Sequence, residues 1–242
     1  MNPRKAEFKK CKKLGSGSFG VVWLVQQRSD GAQFAMKEID LRKPGLQQVM
    51  KEVDTMMKLP PHPNIVKLHA HWISDDREDM WLLLEYAPVL PALYICNIVR
   101  RYCSEGNLAQ FLLSTVRLPD AALWDLAGQL LRALCVFEQH RIVHNDIKPD
   151  NIFIAGTDED EEMFVKVLDF GISKETSGID IVQTNAGVVL GSPAYMSPEQ
   201  ARGDLDIDAR ADLWALGVIM YEALSGTLPY DATNYNALMV KI

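Results

Sequence analysis

Apolar and polar positions divide the chain into a strand-patterned first third and a helix-patterned remainder. Leu14 to Leu41 reads as strands joined by turns. Val21 to Val25 is β-rich, Ser29-Asp30-Gly31 is a turn signal, and Gln33 to Ile39 forms a second strand. Leu46 to Leu59 changes period: Val49, Val53, Met56 and Met57 recur at helical spacing, and Pro60-Pro61-His62-Pro63 stops the helix. Ile65 to Ile73 and Trp81 to Glu85 read as two further strands. Beyond residue 104 the pattern is helical, with a short segment at Asn107 to Thr115 and a long apolar one at Asp120 to His140, Pro119 standing near its start. Two short strands, Ile152 to Ile154 and Val165 to Leu168, flank an acidic turn at Asp158 to Glu162, which reads as a solvated loop. Ala209 to Leu224 is another apolar helix, and Asn234 to Ile242 begins one more. There are no internal repeats.

Composition narrows the classes. The chain has 242 residues, 48% hydrophobic and 24% charged, enough for one large domain or two small lobes. A net charge of -7 argues against broad nucleic-acid binding, and no nucleic-acid partner is expected. Cys11, Cys96, Cys103 and Cys135 are scattered, which indicates neither a zinc site nor a disulfide framework. Reduced thiols in an intracellular compartment, cytoplasm or nucleus, are expected. Met1 to Lys13 is basic without an apolar core, so a secretory signal is not expected. The most apolar run, Ala87 to Val99, is too short to span a bilayer and ends in Arg100-Arg101, so no membrane partner is expected either.

The candidate chemistry is phosphoryl transfer. That reaction needs a carboxylate to orient the attacking hydroxyl, and an amide oxygen with a second carboxylate to hold magnesium against the phosphates. Asp146, Asn151 and Asp169 supply those groups within His144-Asn145-Asp146-Ile147-Lys148-Pro149-Asp150-Asn151 and Asp169-Phe170-Gly171. Gly15-Ser16-Gly17-Ser18-Phe19-Gly20 is a glycine loop between strands, and glycines let backbone N–H groups approach phosphates. Alone it is also compatible with a plain hairpin. A strand follows it where a dinucleotide fingerprint would need a helix, and the Gly-Lys-Ser/Thr of a P-loop is absent. Lys37 lies within a strand, where an inward lysine is costly unless paired. Glu52 on the next helix is the expected partner; otherwise it is one more surface charge, with Lys51 and Asp54 as nearby alternatives.

Taken in order, these motifs resemble the eukaryotic protein kinase family from Leu14 onward. The glycine loop, Ala35-Met36-Lys37, His62-Pro63-Asn64-Ile65-Val66, His144 to Asn151, Asp169-Phe170-Gly171, Gly191 to Glu199 and Asp212 to Gly217 carry the resemblance. It implies an α+β, two-lobed kinase-like fold across residues 1–242. A sheet-rich N-lobe would occupy about 8–85, an insert 87–102, and a partial helical C-lobe 103–242, truncated at its carboxyl end. It implies ATP and Mg²⁺ as cofactors and a protein substrate, and leaves oligomeric state open. Gly15, Gly17 and Gly20 would cover the phosphates, and Lys37, paired with Glu52, would contact them. Leu14, Val22, Ala35 and Phe153 would surround the adenine, with Leu84 and Glu85 at the hinge; Phe153 also serves core packing. Asp146 would orient the substrate hydroxyl, Lys148 would steady the transferring group, and Asn151 and Asp169 would hold the metal. Lys148 and the Gly191 to Glu199 segment resemble the serine/threonine branch. Lys37 to Asp40, Ser197 to Glu199 and Asn234 to Ile242 are similar to NIMA-related kinases, and Asp146 to Ile154 to the Wee-type group, without assigning a subfamily.

Three departures bear on control. Asn145 stands where the family commonly has an arginine that meets an activation-segment phosphate, so activity is expected to depend little on phosphorylation of Thr184 or its neighbours. Sixteen residues, Ala87 to Tyr102, separate the hinge-like Leu82 to Tyr86 from Cys103-Ser104-Glu105-Gly106-Asn107-Leu108. They read either as a translated intron or gene-model error, or as a genuine regulatory insert. The chain stops within what resembles an early helix of the second half of the large lobe, leaving Glu199 without its usual arginine. A serine/threonine kinase is therefore expected. The rivals are an ATP-binding pseudokinase scaffold, favoured by the insert and the ending, and a small-molecule kinase, disfavoured by Gly191 to Glu199.

Overall fold

The computed structural model describes residues 5–17, 20–42, 45–86, 107–113, 120–156, 163–168 and 193–242. The chain divides into two compact units. Met1–His62 with Val66–Ala87 forms the first, and Pro63–Ile65 with Pro88–Ile242 the second. The insert 87–102 lies outside the described residues, as does the acidic turn at Asp158 to Glu162.

The first unit is an antiparallel five-stranded sheet with one helix. Its strands are β1 (Phe8–Gly17), β2 (Gly20–Gln27), β3 (Gln33–Asp40), β4 (Leu68–Ile73) and β5 (Asp79–Glu85), in the order β1-β2-β3-β5-β4. The β2–β3 turn forms at the expected place. Asp30 Oδ1 accepts the Ala32 N–H at 2.9 Å, and Gly31 adopts φ 79°, which favours a residue without Cβ. Side chains alternate between faces and directly opposed residues share one. The registers Val22↔Lys37↔Leu82 and Leu24↔Ala35↔Leu84 therefore put Val22, Ala35, Lys37 and Leu84 on a single face, together with Gly20.

The opposite face carries an aromatic cluster. Phe8, Val25, Met36, Trp81 and Leu83 are buried, and Trp23, Phe34 and Trp72 pack against them. Glu38 lies on this face and binds three groups at once, accepting Lys10 Nζ at 2.7 Å, Trp81 Nε1 at 3.0 Å and Trp23 Nε1 at 3.2 Å. One carboxylate thereby ties together β1, β2, β3 and β5.

Two sequence expectations shift here. β1 begins at Phe8, six residues before the strand pattern was expected to start. Lys9, Lys10, Cys11, Lys12 and Lys13 show no alternation because β1 is an edge strand whose residues there are all exposed, and lysines are common on such edges. Ile65 and Val66 do not belong to β4. Asn64 is buried and donates Nδ2 to Gln129 Oε1 and to the Val165 carbonyl, both at 2.9 Å, while Ile65 bridges Val167. Those contacts draw Pro63–Ile65 into the second unit.

The described part of that unit is mostly helical. It contains α2 (Leu108–Leu113), α3 (Asp120–Gln139), the hairpin β6 (Ile152–Gly156) and β7 (Met163–Val167), then α4 (Pro198–Arg202), α5 (Arg210–Ser225) and α6 (Tyr235–Lys241). α3 buries Leu123, Leu126, Leu130, Ala133, Leu134 and Phe137 along one stripe. α5 ends at Gly226 with φ 73°, whose N–H caps the Glu222 carbonyl. α4 was not anticipated. Five residues are too few to show a period, yet a full capping box starts it: the Ser197 side chain accepts from Gln200 N–H, and the Gln200 side chain accepts from Ser197 N–H.

Candidate active site

Residues 144–151 form a loop between α3 and β6 whose shape is set by a few buried polar contacts. His144 is fully buried beside Phe137, at 5.7 Å between ring centroids. Its Nε2 meets the Leu168 carbonyl at 3.0 Å, and its Nδ1 accepts the Asp146 N–H at 3.3 Å. A backbone N–H cannot accept, so Nδ1 must carry the lone pair and the proton sits on Nε2. Below the loop, the Asp212 carboxylate on α5 is 3% exposed. Its Oδ2 accepts the His144 N–H at 2.7 Å and its Oδ1 the Asn145 N–H at 2.9 Å. Burial pushes this carboxyl above its usual range, an effect partly offset by the two backbone N–H groups. Asp212 appeared in the sequence as part of a motif but had no role there; 68 positions separate it from His144.

Asp146, Lys148 and Asn151 come together. Lys148 Nζ donates to Asp146 Oδ2 at 2.8 Å, and Asn151 Nδ2 donates to the same oxygen at 2.9 Å and to the Asp146 carbonyl at 2.8 Å. Both charged side chains are mostly shielded from solvent. Lysine and amide donors hold one carboxylate oxygen and fix the orientation of the Asp146 side chain. The Asn151 amide nitrogen makes both of these bonds, which leaves the amide oxygen as the acceptor end of the side chain. That oxygen is a hard ligand of the kind magnesium prefers. Among the described residues no group of 3 or more His, Cys, Asp or Glu could hold a metal. Asp169, the second expected ligand, lies outside the described residues, but the residue leading into it is held at both ends. The Leu168 N–H bonds the Asn151 carbonyl at 2.8 Å, and its carbonyl accepts from His144.

Beside the loop, Tyr195 Oη donates to Glu222 Oε2 at 2.6 Å, and burial together with Glu222 pushes this phenol far up. Tyr195, Met196 and Gln200 line an open recess with Asn145, Asp146, Lys148 and Asp212. Among the described residues no helix is long and apolar enough to cross a membrane.

The remaining expected residues lie mainly in the first unit. Gly15, Gly17 and Gly20 sit where β1 turns into β2, Gly17 opposite Gly20. Leu14 is the irregular residue between Lys13 and Gly15 and is 40% exposed, unusual for a leucine in a sheet. Glu52 is 8% exposed, on the helix face of α1 (Leu46–Lys58) that buries Val49, Val53 and Met56, whereas Lys51 and Asp54 are exposed. A carboxylate so placed is not a surface charge and requires a partner. Leu84 is buried in β5, and Glu85 there donates its backbone N–H to the Lys67 carbonyl at 2.8 Å and accepts the Lys67 N–H on its side-chain Oε2 at 3.3 Å. Phe153 is in β6 of the second unit, bridged to Asn107.

The glycines are not equivalent. A Cβ built on Gly20 would collide with the Glu38 carbonyl oxygen, whereas one on Gly15 meets nothing within 4 Å. Gly20→Ala is therefore expected to lower stability by about 1–3 kcal/mol, the range for forced overpacking, and Gly15→Ala to leave it within about 0.5 kcal/mol. Urea unfolding of the two variants checks this; equal midpoints would remove the close-approach argument.

Residues 8–242 match the protein kinase domain family. The chain is 32% identical over 233 residues to the serine/threonine-protein kinase ATG1a of Arabidopsis thaliana, covering 95% of this chain and 33% of that protein. It is 30% identical over 240 residues to the serine/threonine-protein kinase Nek8 of Danio rerio, covering 98% and 31%. For the serine/threonine-protein kinase ULK3 of Xenopus laevis the figures are 30% over 245 residues, 99% and 46%. The chain thus spans about a third to a half of the length of these relatives. With a glycine loop on the sheet, a buried glutamate on α1 and an Asp-Lys-Asn cluster on a loop anchored by Asp212, the chain belongs to the protein kinase domain family.

Proposed function

We propose that this chain is the catalytic domain of a serine/threonine protein kinase that moves the γ-phosphoryl group of ATP to Ser or Thr hydroxyls of a protein substrate. The family in general uses ATP with Mg²⁺ and acts on proteins. The observation that carries the reading is the convergence of Lys148 and Asn151 on Asp146 Oδ2. ATP supplies the phosphoryl group, and Mg²⁺ neutralises charge on its phosphates when bound. Asp146 orients the attacking hydroxyl and takes its proton. Lys148 offers a cation beside it, and Asn151, with Asp169, offers oxygen ligands to the metal. Lys37 contacts the phosphates and is the partner assigned to Glu52. Gly15, Gly17 and Gly20 cover the phosphates, while Leu14, Val22, Ala35, Leu84, Glu85 and Phe153 enclose the adenine. Most of the rate enhancement then comes from positioning and charge neutralisation. An intracellular setting, cytoplasm or nucleus, belongs to the same proposal.

The test is phosphotransfer from γ-labelled ATP with Mg²⁺ to matched peptides offering Ser, Thr or Tyr. Label on Ser or Thr supports the proposal. Label on Tyr alone overturns the serine/threonine assignment, and tight nucleotide binding without transfer favours the pseudokinase alternative.

The same proposal predicts control without an activation-segment phosphate, because Asn145 has no cation to receive one. Thr184 lies outside the described residues. Thr184→Ala is expected to keep kcat within about threefold of wild type, an effect below 1 kcal/mol. A folded Thr184→Ala protein without activity would refute it.

A further inference from the structure

Asn145 adopts φ 63°, the left-handed region that asparagine tolerates better than most residues. Both ends of its backbone are held. Its N–H goes to Asp212 Oδ1 at 2.9 Å, and its carbonyl faces Gln200 Nε2 at 3.5 Å. The same Gln200 nitrogen faces the Asn145 side-chain oxygen at 3.4 Å. The orientation of the Gln200 amide is not arbitrary. Its oxygen accepts the Ser197 N–H at 2.9 Å in the α4 capping box, so its nitrogen is the end that must point at Asn145. The contacts are long, but two amide hydrogens meet two acceptors.

The carbonyl of Asn145 belongs to the peptide plane that continues into Asp146, and the N–H of that plane goes to His144 Nδ1 at 3.3 Å. Gln200 and His144 thus grip one peptide from its two sides. We propose that Gln200 is a positioning residue for Asp146. Its amide clamps the Asn145–Asp146 peptide to the start of α4, a direct side-chain link from the substrate-side segment to the loop that bears the general base. The proposal rests on the kinase reading for its catalytic consequence, but not for the clamp itself.

Gln200→Glu separates the clamp from the cap. A glutamate keeps the oxygen that accepts Ser197 N–H, as in the common form of the capping box, but turns the donor into an anion facing two oxygens. In the full chain, Gln200→Glu is expected to lower kcat by about 10- to 100-fold, the scale of a misplaced catalytic group. The KM for ATP should change less than about twofold, since the group acts only on the transition state. The double variant Asn145→Arg/Gln200→Glu, which sets a cation against the new carboxylate, should recover most of the loss. Amide hydrogen exchange gives a readout independent of turnover. Gln200→Glu should speed exchange at residues 145–147 at least tenfold while residues 197–203 keep their protection. Wild-type kcat with unchanged exchange in Gln200→Glu overturns the proposal. So does a loss the double variant fails to recover, or faster exchange across 197–203, which would mean that Gln200 serves only its own helix. A wild-type protein that transfers no phosphate would defeat the kinase reading instead, and exchange at 145–147 would then decide the clamp alone.

Discussion

Asp146→Asn is expected to lower kcat by about 10²–10⁴-fold, the usual cost of removing a positioned general base. The substitution is nearly isosteric, so the loop should keep its shape. The Asn151 and Lys148 donors at 2.9 and 2.8 Å would meet an amide oxygen in place of a carboxylate oxygen. The proton-accepting capacity is what disappears. Nucleotide affinity should stay close to wild type, because the residues assigned to ATP lie on other segments: the glycine loop, β2, β3 and β5, and β6. Steady-state kinetics with calorimetric ATP titration separates the two quantities. Equal kcat in a folded Asp146→Asn protein would refute the role assigned to Asp146, and a loss of nucleotide binding in step with activity would point to a structural role instead.

Asp212→Ala should be the most damaging single change to the described part of the second unit. It would strand the buried N–H of His144 and the part-buried N–H of Asn145. Each orphaned donor costs about 1–3 kcal/mol, and total stabilities are only about 5–15 kcal/mol, so the two together are a large fraction of the whole. Asp212→Asn should cost less, since its single oxygen still satisfies one donor while its NH₂ opposes the other. The carboxylate also leaves a pH signature. Because burial raises its native pKa above the unfolded value, the folded chain holds that proton more tightly. Its stabilising contribution is full below the unfolded carboxylate range and is lost as pH rises through the raised native value. The stability gap between wild type and Asp212→Asn should therefore shrink as pH rises through that window. Urea midpoints across it check the sign; a gap that widens would contradict the burial argument.

Much of the fold was legible because periodicity and burial coincide. α1 shows its stripe in Val49, Val53 and Met56, α3 carries a continuous apolar run, and β2, β3 and β5 read as strands because one face of each packs aromatic or aliphatic side chains. β1 was hidden because pairing with β2, not burial, makes it a strand, and lysine on an exposed edge leaves no periodic trace. Ile65 was read as the start of the strand that begins at Leu68 because the neighbouring Asn64 finds its partners 65 and 101 positions away.

The candidate site divides the same way. Asp146, Lys148 and Asn151 lie within six residues of one another, so their grouping is written locally. Asp212 under the loop and Gln200 beside it reach it only through the fold. The Ser-Pro-Glu-Gln run does carry a capping-box signature that could have announced α4. Nothing in the sequence indicates that the far end of the Gln200 amide meets Asn145.

The most direct measurement sets wild type and Asp146→Asn side by side with γ-labelled ATP, Mg²⁺ and a serine peptide. The account predicts labelled phosphoserine from wild type, and a transfer rate at least about a hundredfold lower from the variant at similar nucleotide affinity. Equal labelling by both proteins, or none by a wild type that binds ATP, would contradict it.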